Sequence, residues 1–340
     1  MKFATCSKEN IAPASGKKVA IIGAGPGGLA VAGVLICMGH EVVVYDMLPE
    51  PGGLLIFGIP EFRMPKENIR KGIKELETLG VKFICNKKVG VDIDLNDIIN
   101  EYDAVVIATG AWRERELKVP GADLEGVYSV LDYLVKLALF RDGYVKEEEV
   151  PKIGKKVVVI GGGNSAMDGA RTAKRTGADV TVVYRRTEEY MPAFKSEVKH
   201  AKEEGIKFIF LASPVRILGD EQGRVKAIEC IRMQLGEPDS SGRPRPEPIP
   251  GSEFTIECDT VITAIGEMPT PPFDMDGAKY GIAVDPKGRI ITDDLGRTSR
   301  EGVFALGDVV TGPSNIGLAL SMGKRTAKAV DEYLKTGKWM

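Results

Sequence analysis

The sequence predicts an α/β protein of two parallel-sheet domains, the second inserted into the first, and three observations predict it. Two short apolar strands, residues 19–22 and 157–160, each run straight into a glycine-rich turn. The first turn reads Gly23-Ala24-Gly25-Pro26-Gly27-Gly28 and the second Gly161-Gly162-Gly163-Asn164-Ser165-Ala166. Two later apolar strands, 104–108 and 259–265, exit through Gly110 and Gly266. Strands this apolar fit a parallel sheet covered on both faces. Each pairing of glycine turn and glycine exit therefore marks one copy of the same domain type, a duplication rather than a solenoid.

Taken in order, residues 1–16 are polar, with Pro13 and Gly16, and read as an arm. A strand over 18–22, a helix over about 27–38 and a strand over 41–45 make the first βαβ unit. The irregular stretch 49–65 is rich in Gly and Pro but poor in charge, as in loops that wrap a ligand. Pro65 and Gly80 bracket a helix over 66–79, before a strand at 81–85. Residues 111–127 read as a crossing between domains, and 129–140 as an amphipathic helix. The second βαβ unit starts at Lys155. After 207–211 the pattern becomes short alternating strands, with a Pro-, Gly- and charge-rich segment at 236–251. The chain returns through 303–308 to a closing helix over 316–335. The predicted boundaries are an arm at 1–16, a first domain of 17–115 and 270–340, and a second of 116–269.

At 340 residues with 43% apolar content and a net charge of −2, the chain offers no electrostatic case for nucleic acid or an anionic membrane. Residues 19–38 carry no charge and are long enough for a membrane span, but the glycine turn interrupts them. Strand, turn and buried helix explain the run, and the chain reads as cytoplasmic. The five cysteines are scattered and never form a C-x-x-C pair, which predicts reduced thiols and no iron–sulfur or dithiol centre. Only His40 and His200 are present, so no transition-metal site is expected.

A glycine turn at a strand-to-helix junction lets the backbone approach a pyrophosphate, and the helix start supplies oriented N–H donors. Gly23, Gly25 and Gly28 satisfy G-x-G-x-x-G, whereas Gly161, Gly163 and Ala166 satisfy the G-x-G-x-x-A variant. The strand after each turn ends differently. Asp46 closes the first, where a carboxylate accepts ribose hydroxyls; Arg185 and Arg186 close the second, where guanidinium groups suit a 2′-phosphate. Adjacent arginines are often solvated surface residues, but these two occupy the carboxylate's place. The expectation is two Rossmann-like domains holding an unphosphorylated dinucleotide and an NADP-like one. Gly307 and Asp308 end a strand before a turn that reaches Asn315 and Ile316. An acid there suits ribityl hydroxyls of a flavin, with a helix start near the ring, although a capping Asp in a βα loop would look the same.

Residues 23–28, the stretch Pro51-Gly52-Gly53-Leu54-Leu55 with 58–66, Ala108-Thr109-Gly110, Tyr184-Arg185-Arg186 and Gly307-Asp308 together resemble the small subunit of NADPH-dependent glutamate synthase and its relatives. Those relatives include flavin subunits of NADH-dependent ferredoxin:NADP oxidoreductases. The resemblance spans about 16–336, and 51–66 is its most specific part. It implies two domains of the glutathione reductase type, with FAD in the first and NADPH in the second. The implied FAD contacts are Gly23, Gly25, Pro26, Gly27, Gly28, Asp46 (usually Glu in relatives), Gly53, Leu54, Arg63, Thr109, Gly110, Gly307, Asp308, Asn315 and Ile316. The implied NADPH contacts are Gly161, Gly163, Asn164, Ser165, Arg185, Arg186 and Gly266.

Small subunits of this family usually begin with a cysteine-rich iron–sulfur domain, where this sequence has only a short arm with Cys6. Electrons are therefore expected to pass through a partner, an iron–sulfur protein or large catalytic subunit, in a hetero-oligomer. No glutamine-handling machinery is recognisable. The implied chemistry is hydride transfer between NADPH and FAD, which needs no protein nucleophile and hence no catalytic residue of the chain's own. The competing expectation is a non-catalytic nucleotide-binding or scaffolding subunit of a redox complex.

Overall fold

The computed structural model describes residues 1–239, 242–273 and 277–339. The chain divides into two compact units, one of residues 1–113 with 267–340 and one of residues 114–266.

The first unit is built on a five-stranded parallel sheet. Its order is Val303–Ala305, Ala104–Ile107, Lys18–Ile22, Glu41–Tyr45 and Lys82–Ile84. The three inner strands are almost wholly buried because helices cover both faces of a parallel sheet. The helix Pro26–Cys37 packs on Ile316–Thr336 through small residues. A Cβ at Gly323 would lie 2.5 Å from the Gly27 carbonyl oxygen and 2.9 Å from the Ala30 Cβ. That close backbone approach explains the charge-free run at 19–38, since the helix is buried nearly all round. Among the described residues, no helix is long and apolar enough to cross a membrane.

The N-terminal segment corrects two expectations. It is not a free polar arm: Phe3 and Ala4 are buried, and a Cβ at Gly33 would meet the Phe3 carbonyl oxygen at 2.3 Å. Nor are all the cysteines reduced, because Cys6 and Cys37 form a disulfide. At a sequence separation of 31, nothing local in the sequence signals their meeting. The segment runs alongside the first helix in the same direction and delivers Cys6 to its last residue. Further along, Ser15 Oγ and His40 Nδ1 are 2.7 Å apart, and His40 Nε2 lies 2.9 Å from Asp331 Oδ1 on the closing helix. The Asp331 carboxylate can only accept, so Nε2 carries the hydrogen between them.

The second unit repeats the plan, with parallel strands in the order Val127–Ser129, Thr260–Thr263, Lys156–Ile160, Asp179–Tyr184 and Lys207–Phe210. An antiparallel excursion follows: Ala212–Gly219 and Phe254–Glu257 both pair with Val225–Pro238, which continues against Pro244–Pro248. The expectation of short strands fails here, since Val225–Pro238 runs 14 residues. Pro244, Pro246 and Pro248 lack N–H donors and sit on the outermost strand of this path, where a missing ladder bond costs least. Two helices not expected from periodicity are Leu95–Glu101 and Lys195–Glu203. The first is capped by Asp94, which accepts from the Asn96 N–H at 2.8 Å. The second presents Val198 and Ala201 inward, with Glu197 paired to Arg171 at 2.6 Å.

Candidate functional site

The two glycine turns divide their labour in the same way. Gly23, at φ 106°, lies where a Cβ would be 2.3 Å from the Ala108 carbonyl oxygen, and a Cβ on Gly28 would be 2.0 Å from the Gly23 oxygen. Gly161, at φ 142°, would bring a Cβ to 2.2 Å from the Ala264 oxygen. These glycines are required by the chain's own backbone. Gly25 and Gly163 are different: each is the extended N-cap of its helix, each lacks a side-chain cap, and a Cβ on either would meet nothing within 4 Å. Uncapped N–H donors facing open space are what a pyrophosphate needs.

Around the first turn the site is assembled from distant segments. Gly52 N–H donates to the Ala24 oxygen at 2.9 Å, and a Cβ on Gly53 (φ 53°) would lie 3.0 Å from the Gly25 Cα. The loop after 51 thus folds directly onto the turn. Leu54 opens the short helix Leu54–Phe57, and Arg63 N–H donates to the Pro60 oxygen at 3.0 Å. Lys66 is only 6% exposed and holds this loop together: its ammonium donates to the Leu55 oxygen at 2.7 Å and the Ile59 oxygen at 2.5 Å. The sequence motif contains Lys66, but periodicity gives it no role.

Asp46 is 8% exposed, with Oδ2 accepting from the Ala24 N–H at 2.6 Å and Oδ1 from the Leu48 N–H at 2.8 Å. Burial pushes its carboxyl above the usual carboxylate range, and the two N–H donors oppose that rise. Each oxygen keeps acceptor capacity for a further donor. Asp46 lines a cavity of about 760 Å³ together with Gly23, Lys87, Thr109, Trp112 and Pro272. The Thr109 hydroxyl oxygen is buried without a hydrogen-bond partner, and Gly110, at φ 74°, accepts from the Thr270 N–H at 3.0 Å. Sequence reasoning missed Lys87 and Trp112, which carry no motif.

Toward the closing helix, Gly307 (φ 73°) precedes Asp308, whose Oδ1 accepts from the Ser314 hydroxyl at 2.7 Å. Burial raises the Asp308 carboxyl. The Asn315 side chain accepts from the Leu318 N–H at 2.9 Å, so it caps the helix that Ile316 begins. An orphaned hydroxyl, an open glycine cradle and an uncapped helix start fit a bound dinucleotide at the first turn.

In the second unit Asn164 Oδ1 accepts from the Phe194 N–H at 3.0 Å, and Ser165 follows it in the first turn of the helix Asn164–Arg175. Gly266, at φ 109°, accepts from the Arg115 N–H at 2.9 Å. The arginine pair does not act as one. Arg185 is exposed, while the Arg186 side chain is 3% exposed and occupied: Nη2 donates to Asp239 Oδ2 and Nε to the Pro244 oxygen, both at 2.7 Å. The expectation that both guanidinium groups face a phosphate is therefore corrected. Arg186 is buried because the hairpin after 225 folds over it, a contact with no local trace in the sequence.

Two parallel sheets, each with a glycine turn that opens onto a helix start, define a two-domain fold of the dinucleotide-binding class. The chain belongs to the pyridine nucleotide-disulphide oxidoreductase family, whose model matches residues 17–323. The cofactors of this chain are FAD and NADP(H). It is 42% identical over 333 residues to the NADP(+)-dependent formate dehydrogenase subunit beta of Moorella thermoacetica, covering 97% of this chain and 46% of that one. It is 40% identical over 330 residues to the glutamate synthase [NADPH] small chain of Escherichia coli, covering 94% and 69%. The chain spans about half the length of the first curated relatives it matches. Among solved structures, Mycobacterium tuberculosis FprA in complex with NADPH matches with a TM-score of 0.76 at 22% identity, covering 94% of this chain and 85% of that one. That likeness is one of fold.

Proposed function

We propose that this chain takes hydride from NADPH at its second glycine turn, onto FAD held at its first, and passes the electrons to a partner subunit. The observation that carries this reading is the pair of turns with equivalent open cradles at Gly25 and Gly163 and opposite strand ends at Asp46 and Arg185. In this reading residues 1–113 with 267–340 form the FAD domain and 114–266 the NADPH domain.

FAD supplies the hydride acceptor and the store from which electrons leave. The protein's residues bind and orient. N–H groups at the start of Pro26–Cys37 would hold the FAD pyrophosphate, Asp46 would take ribose hydroxyls, and Thr109 would supply its unused hydroxyl. Gly53, Leu54 and Arg63, on the loop that Lys66 braces, would wall the site and exclude water, while Asp308 and the start of Ile316–Thr336 would hold the flavin end. Asn164 and Ser165 start the helix that receives the NADPH pyrophosphate. No side chain needs to gain or lose a proton covalently, so positioning supplies the rate.

The partner is an iron–sulfur protein or a large catalytic subunit, which fits the named role of the relatives as subunits. The test is anaerobic mixing of the FAD-loaded protein with NADPH. Bleaching of the flavin absorbance is expected, whereas bound FAD left oxidised by both NADPH and NADH would defeat the proposal and favour a scaffolding role.

A further inference from the structure

The N-terminal segment is fastened by one covalent bond and a small buried anchor. Of residues 1–10, Phe3 and Ala4 are the buried ones; Cys6 is half-buried, and Thr5 and residues 7–10 on either side of it are exposed. Cys6 is bonded to Cys37, itself half-buried, and the Cys6 N–H donates to the Cys37 Sγ at 3.2 Å. Beyond the bridge the backbone ties the chain down again. The Ala12 N–H donates to the Cys37 oxygen at 3.1 Å, and the Ser15 N–H to the Gly39 oxygen at 2.9 Å. The piece that the bridge controls is therefore residues 1–11.

That piece joins the two helices that serve the first glycine turn. The Phe3 backbone fills the space that a Cβ on Gly33 would need, on the helix Pro26–Cys37. The Phe3 ring lies 3.1 Å from where a Cβ on Gly72 would stand, on the helix Glu67–Leu79. One glycine on each helix thus makes the seat for Phe3. The first of these helices begins at the open Gly25 cradle. The second is entered through Lys66, whose ammonium holds the Leu55 and Ile59 carbonyls of the loop folded onto the turn.

We propose that the Cys6–Cys37 bridge is a site of thiol–disulfide exchange with a dithiol, and that its state sets how firmly the first unit holds FAD. The proposal rests on the reading of that unit as the FAD domain. A thiolate of the dithiol attacks one bridge sulfur and expels the other as a thiolate, which takes up a proton. The second thiol of the dithiol then displaces the cysteine held in the mixed disulfide. In sum, two electrons and two protons pass from the dithiol, which becomes a disulfide, to Cys6 and Cys37, which become thiols. Cutting the bridge returns conformational freedom to residues 1–11, leaving the burial of Phe3 and Ala4 to oppose their release. Without Phe3 in its seat, the two helices lose the residue packed between them, and the loop braced by Lys66 is held less firmly over the cradle.

The test takes the FAD-loaded protein, either oxidised with diamide or reduced with dithiothreitol that is then removed. It reads tryptic cleavage at Lys8 by mass, and FAD release on dilution by flavin fluorescence. Reduction is expected to open Lys8 to cleavage and to speed FAD release about tenfold, with diamide restoring both. Cys6→Ser should release FAD at the reduced rate under either treatment, and Phe3→Ser should do so with the bridge intact. FAD release unchanged by reduction overturns the proposal, even where cleavage at Lys8 rises. So does a Cys6→Ser protein that still responds to dithiothreitol, since the effect would then lie with Cys85, Cys230 or Cys258. Protein that retains FAD in neither state would instead defeat the reading of the first unit, while cleavage at Lys8 unchanged by reduction would independently refute the control of the segment by the bridge.

Discussion

The two glycine turns are nearly the same object made twice, and the strands that follow them are not. At both turns one glycine is required by a carbonyl less than 2.5 Å from any Cβ, and another faces open space. Beyond the turns the strand ends part company. Asp46 is buried, one oxygen accepting from the Ala24 N–H of the glycine turn and the other from the Leu48 N–H, whereas Arg185 stays exposed and its neighbour Arg186 is held by a hairpin. The open glycine cradle, proposed above as the pyrophosphate site, is thus a backbone property that duplicates readily. The strand end, the proposed ribose side, depends on what packs over it, and that differs between the two domains.

The most disruptive way to break this equivalence is to substitute the structural glycines. Gly23→Ala and Gly161→Ala combine positive φ with a carbonyl at 2.3 and 2.2 Å, and each should cost about 3 kcal/mol or more, read as a large drop in melting midpoint. Gly25→Ala and Gly163→Ala are the contrast. Both should melt within about 0.5 kcal/mol of the parent, the first losing FAD and the second losing NADPH while keeping FAD. If Gly25→Ala and Gly23→Ala unfold alike, the division of labour is wrong.

Asp46→Ala removes the acceptor of two buried N–H groups and should destabilise the first domain by about 2 kcal/mol, with FAD released on gel filtration. Lys66→Met tests a feature of the first region alone. It leaves the Leu55 and Ile59 carbonyls without their ammonium donor, which should cost about 1–2 kcal/mol in chemical denaturation and weaken FAD retention, with NADP binding unaffected. The smallest effect is expected from Asn315→Ala, which removes a cap from the closing helix for about 1 kcal/mol, read as a shift in denaturation midpoint.

Much of the fold was legible because its signals are local. Strand, glycine and helix occur within a dozen residues at each turn, and full burial of the inner strands shows directly as unbroken Val, Ile and Ala. The short helices Leu95–Glu101 and Lys195–Glu203 escaped because two turns of helix carry too few apolar positions to establish a period. The disulfide between Cys6 and Cys37, the burial of Phe3 and the cavity residues Lys87 and Trp112 escaped for another reason. Each is a meeting of segments far apart in the chain, with no motif at either end.

The amino-acid order alone established the duplicated parallel-sheet plan, the positions of both cradles and the opposite character of Asp46 and the arginine pair. Those follow from steric needs of glycine and from burial, which act within a strand or a turn. Which arginine remains available, what closes over Asp46 and where the N-terminal segment lies came only with the assembled chain. Those depend on desolvation and on hydrogen-bond partners tens of residues away, such as Asp239 for Arg186, and no local pattern records them.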